Sequence, residues 1–164
     1  MRKPLFAFSF AALLALLLLA PSAAFAQEGD LWISLGGEIS MYSSSGLAYG
    51  GSFTFGYGSG SSIGLKAAYF FSEEGIETLE ICLLLRFYLL GKNAYTGPFL
   101  QFLGGPSFYN RLGTFVIPSN VGAISAGLGF GWRFLFANRW FVEPMVRGGY
   151  PYIVGATVSV GVRF

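Results

Sequence analysis

The strongest constraint on this chain is a two-residue hydrophobic period that recurs along it after Gln27. From Tyr152 to Phe164 one face reads Tyr152, Val154, Ala156, Val158, Val160, Val162 and Phe164. The other reads Ile153, Gly155, Thr157, Ser159, Gly161 and Arg163. Successive side chains of a strand leave opposite faces, so this alternation predicts a strand with one apolar side. Residues 31–41 repeat the pattern, with Leu31, Ile33, Leu35, Gly37, Ile39 and Met41 against Trp32, Ser34, Gly36, Glu38 and Ser40. Eight such segments are expected, at 30–42, 47–58, 62–72, 77–89, 98–109, 121–136, 139–150 and 152–164. Most exceed the usual soluble strand of about five or six residues. They reach the roughly nine to eleven that a tilted membrane strand needs. Turn-forming residues separate them, as in Ser43-Ser44-Ser45-Gly46, Gly58-Ser59-Gly60-Ser61, Ser72-Glu73-Glu74-Gly75, Gly91-Lys92-Asn93 and Ala137-Asn138-Arg139.

The relative bulk of the two faces says which side meets which medium. The apolar face is heavy: Phe53, Phe55 and Tyr57; Leu79, Ile81, Leu83, Leu85 and Phe87; Leu128, Phe130, Trp132, Phe134 and Phe136. The opposite face is light, as in Gly50, Ser52, Thr54 and Gly56, or Ser125, Gly127, Gly129 and Gly131. An eight-stranded barrel has an interior just wide enough for side chains to fill, so the heavy face is expected outside and the light one in the lumen. Composition agrees. Apolar residues make up 54% of the 164 and charged residues 11%, against about 25% charged in soluble domains. In lipid every backbone polar group must pair internally, so such a sheet must close. If residues 30–42 run away from the periplasmic side, Tyr57, Phe87, Phe134, Phe136, Trp140 and Phe164 gather at that edge. Tyr49, Tyr69, Phe71, Phe108, Tyr150 and Tyr152 then gather at the other, giving two aromatic belts. The turns at 43–46, 72–76, 110–120 and 151 are expected to face outward.

Residues 1–26 have a different layout. Arg2 and Lys3 precede an apolar run from Leu5 to Ala20, Pro21 breaks it, and Ala24-Phe25-Ala26 supplies small residues before Gln27. This is the arrangement of a cleaved secretory signal peptide, leaving a single barrel domain over 27–164. No later stretch of about 20 residues is continuously apolar, so no second membrane helix is expected. Without Arg2 and Lys3, the remaining basic and acidic residues balance, and no basic face points to nucleic acid.

The chain holds no histidine and one cysteine, Cys82. No intramolecular disulfide can form, and most metal sites and acid–base triads are removed. Gly60-Ser61-Ser62-Ile63-Gly64 has the spacing of a nucleophile elbow, but it lies between two strands and lacks a histidine partner. Gly127-Leu128-Gly129-Phe130-Gly131 lacks the following helix and lysine of a phosphate loop. Cys82 falls on the lumen face as an inert thiol. No enzyme activity and no cofactor are expected.

By parity the lumen face carries Glu38, Lys66, Glu80, Arg86, Arg133, Glu143, Arg147 and Arg163. Charges in a narrow, dry interior must pair. A turn centred on Asn138 sets Arg133 opposite Glu143 on the neighbouring strand. The expected role is a plug of ion pairs that holds the barrel's shape; the alternative is a gate or narrow path.

The leader, the eight alternating segments and the final Val158-Ser159-Val160-Gly161-Val162-Arg163-Phe164 resemble small bacterial outer-membrane barrels of the OmpA/OmpX/OmpW kind. The resemblance implies an all-β, eight-stranded antiparallel up-and-down transmembrane barrel in the outer membrane. It implies that Val158, Val160, Val162 and Phe164 form the signal read by the barrel-assembly machinery, with periplasmic chaperones on the route and a monomer as product. It implies a structural or surface role, or alternatively passage of small hydrophobic molecules or ions. A soluble lipocalin-like binder is the third possibility weighed.

Overall fold

The computed structural model describes residues 29–42, 46–90, 96–111 and 124–164. The expected signal peptide, residues 112–120 of the expected 110–120 turn and residues 121–123 of the expected sixth strand lie outside the described residues, as do most of the 43–46 turn and the Gly91-Lys92-Asn93 turn. The strands are β1 (Leu31–Tyr42), β2 (Gly46–Gly58), β3 (Ser61–Ser72), β4 (Ile76–Tyr88), β5 (Gly97–Arg111), β6 (Ile124–Phe136), β7 (Trp140–Tyr150) and β8 (Tyr152–Arg163). Each pairs antiparallel with its sequence neighbours, and β1 pairs with β8, so the sheet closes into an up-and-down barrel. Closure leaves no strand edge unpaired.

Local chemistry sets the turns. Between β3 and β4, Gly75 takes φ +72°, its N–H donates to the Ser72 carbonyl at 3.0 Å, and the Ile76 N–H donates to Ser72 Oγ at 3.1 Å. Between β6 and β7, Ala137 and Asn138 take φ +49° and +59°. Asparagine tolerates this left-handed region; alanine is strained there. The turn centres on Asn138, with Phe136 opposite Trp140 and Phe134 opposite Val142.

The alternation becomes an inside and an outside. Leu35, Phe53, Leu65, Ile81, Phe102, Leu128, Phe130, Trp140, Val146 and Val158 project outward and are exposed. Glu38, Ser52, Lys66, Glu80, Arg86, Gln101, Arg133, Glu143 and Arg147 project inward and are buried.

Two sequence expectations need correction. Tyr152 belongs inside, not in an outward belt: it is 0% exposed, while Ile153 and Val154 both face out. The β1–β8 register shifts at this point, pairing Met41 with Val154 but Tyr42 with Tyr152. The extra residue breaks the parity that holds from Val154 onward. The lumen is also not uniformly light. Trp32, Tyr42, Phe70, Tyr88, Phe99, Phe141 and Tyr152 all lie within it. Glycines make their room: a Cβ at Gly56 would strike the Trp32 ring, one at Gly131 the Phe99 ring and one at Gly161 the Phe141 ring. Heavy and light inward positions interleave across strands, so the rings occupy the room that glycines leave in a narrow interior.

Candidate functional site

The inward charges form two groups at different depths. The first is built around Arg147, near the end of β7. Its Nη1 donates to Glu80 Oε2 at 3.0 Å and its Nη2 to Ser40 Oγ at 2.9 Å, with Glu38 Oε2 at 3.3 Å. Lys66 Nζ lies 2.5 Å from Glu38 Oε1. The Tyr42 hydroxyl donates to Glu80 Oε1 at 2.7 Å. The Arg147 guanidinium also stacks 3.9 Å from the Tyr152 ring centroid. Two acids meet two bases, so the group is neutral.

The second group is built around Glu143, near the start of β7. Arg86 Nη1 and Arg133 Nε both donate to Glu143 Oε1, at 2.7 and 2.5 Å. Arg86 Nε and Nη2 also donate to Gln101 Oε1, at 3.0 and 2.7 Å. One carboxylate serves two guanidiniums, so the group carries an excess positive charge. Aromatic faces surround that excess. Arg133 lies 3.8 Å from the Phe141 centroid and 4.8 Å from that of Trp32; Arg86 lies 4.2 Å from Phe99 and 4.6 Å from Trp32. The negative face of an aromatic ring attracts a cation, most strongly where water is excluded.

Arg163 joins neither group. It sits at the rim, where Nη1 pairs with Asp30 Oδ2 at 2.9 Å and Nε donates to the Asn138 carbonyl at 2.8 Å. Its inward parity is outweighed by its position at the strand's end. Sequence reading missed Asp30, Gln101 and the two tyrosines, Tyr42 and Tyr152. Parity alone would have marked Gln101 and Tyr42 as inward; the register shift hides Tyr152.

The remaining sequence candidates fall into place. Val158, Val160 and Phe164 face outward, and Val162 is half-buried. Ser62 of the elbow-like motif is a buried lumen residue, and Gly129 and Gly131 are buried on the lumen face of β6. Cys82 is a buried free thiol. Among the described residues no three side chains of metal-ligating type gather into a site.

Fold and lumen together define a class: closed eight-stranded antiparallel barrels with an apolar exterior and a charged, packed core. No protein-family model matches the chain, and no curated protein matches it in sequence. Solved structures do match it in fold. The outer membrane protein OprG from Pseudomonas aeruginosa superposes with a TM-score of 0.58 at 12% identity, over 84% of this chain and 97% of that one. Yersinia pestis outer membrane protein Ail, in a phospholipid bilayer nanodisc, gives 0.54 at 14%, over 84% and 100%. The N-terminal β-barrel domain of Pseudomonas aeruginosa OprF gives 0.53 at 18%, over 84% and 98%. At these identities the likeness is one of fold: that of small outer-membrane barrels.

Proposed function

We propose that this protein is a non-enzymatic integral barrel of the bacterial outer membrane whose lumen is plugged by ion pairs, with a structural or surface role. One observation carries the reading: large apolar side chains are exposed around the whole barrel while seven charged side chains are buried inside it. An exposed apolar surface of that extent needs lipid, and a closed sheet has no open strand edge to leave unpaired there. Fold likeness to outer-membrane barrels supports the same placement. The signal peptide at 1–26 would supply export. Outward Val158, Val160 and Phe164, with Val162, would serve the assembly machinery and its chaperones. Outer-membrane lipid is the expected partner, and a monomer the expected state.

A plug is favoured over a channel by the packing of the interior. The cavity at mid-lumen measures about 10 Å³, space for one water molecule and not for a hydrated ion. The test is the purified protein in detergent. A folded membrane barrel is expected to shift its gel mobility on boiling and to resist carbonate extraction from membranes. Release by carbonate would sink the reading in favour of a soluble binder.

A further inference from the structure

We infer that the lumen is closed by two independent seals in series, the Arg147 group and the Glu143 group, with a water-holding chamber between them. The inference rests on the membrane-barrel reading and deepens it, because it states how the plug is divided.

The division follows from the strands. Glu143 and Arg147 share the inward face of β7. Four residues of extended chain separate them by roughly 13 Å. Glu80 and Arg86 are divided in the same way along β4, one in each group. Among the described residues no ion pair joins the two groups; every one lies within a group or at the rim.

The space between them has its own character. Glu38 and Lys66 border the cavity from one group, and Arg86, Gln101 and Glu143 from the other. The hydroxyls of Ser34, Ser52, Thr54, Thr157 and Ser159 line its wall. Glu38 and Lys66 satisfy each other on one side of it, while Thr157 Oγ1 on its wall has no hydrogen-bond partner in the protein. A buried hydroxyl demands a hydrogen bond, and one water held among these polar neighbours, which the cavity has room for, supplies it. Breaking one seal therefore opens the chamber to one face only, and passage requires breaking both.

The test uses the full-length protein in planar bilayers and in vesicles, with Arg147→Ala, Glu143→Ala and their combination. A chamber reporter, Thr157→Cys on a Cys82→Ser background, is probed with a membrane-impermeant charged thiosulfonate from either face. Wild type is expected to show no conductance steps and a protected reporter. Each single variant is expected to remain non-conducting and to lose reporter protection from one face, the two variants from opposite faces. The double variant alone is expected to conduct. Steps in a single variant equal to those of the double would overturn the series arrangement, as would labelling of one single variant from both faces. If the alanine variants lose the boiling-dependent gel shift, Arg147→Gln and Glu143→Gln carry the same test. A wild type that never inserts defeats the membrane reading itself. An inserted, folded double variant that stays closed defeats only the two-seal inference.

Discussion

The two charged groups of the lumen bury the same kinds of side chain and balance them differently. Around Arg147, two carboxylates face two cations, and tyrosine and serine hydroxyls complete the hydrogen bonding. Around Glu143, two guanidiniums share one carboxylate oxygen, and the excess charge rests against the faces of Trp32, Phe99 and Phe141. Desolvating a charge is costly in either place. In one group opposite charge offsets the cost; in the other, part of the offset comes from π faces. The first group should therefore tolerate the loss of its central Arg147 better, because Glu38 keeps Lys66 and Glu80 keeps the Tyr42 hydroxyl. The second depends on a single acid.

The largest effect is expected from Glu143→Ala. It leaves Arg86 and Arg133 buried together without a counter-charge, a loss of about 3–5 kcal/mol by the usual cost of orphaning a buried ion. Denaturant unfolding in detergent measures it. A loss no greater than that of Arg147→Ala would break the comparison. Arg147→Ala is expected to cost less, about 2–3 kcal/mol, because Glu38 keeps Lys66 and Glu80 keeps the Tyr42 hydroxyl. The aromatic contribution is next. A double-mutant cycle between Arg133 and Phe141, using Phe141→Leu, should return a coupling of about 0.5–2 kcal/mol. The matching cycle between Arg147 and Tyr152 should return less, since that cation is already neutralised; equal couplings would remove the distinction. The smallest effect belongs to the rim. Arg163→Ala breaks the partly exposed pair with Asp30 and should cost about 1 kcal/mol or less.

How much was legible in advance follows from particular residues. Period-two alternation named the strands and put Glu38, Lys66, Glu80, Arg86, Arg133, Glu143 and Arg147 on one face, because a strand's side-chain period is local. The Asn138 turn was readable for the same reason. One inserted residue at Ile153 was enough to misplace Tyr152, since alternation carries no record of a bulge. Gly56 and Gly161 looked like evidence of a thin lumen. They are instead the spaces that Trp32 and Phe141 fill from neighbouring strands.

The chain's own order of residues determined that it would form alternating strands too greasy on one face to stand in water, with charges on the other. Beyond the Arg133–Glu143 pair, which the Asn138 turn sets, closure of the barrel decided which charges meet. Glu80 and Arg147 lie far apart in sequence, as do Arg86 and Glu143, and on strands that are not neighbours in the sheet. Side chains from strands across a lumen come within hydrogen-bonding reach only when the sheet curls to a fixed radius and stagger. Both are properties of the whole cylinder and of no single strand.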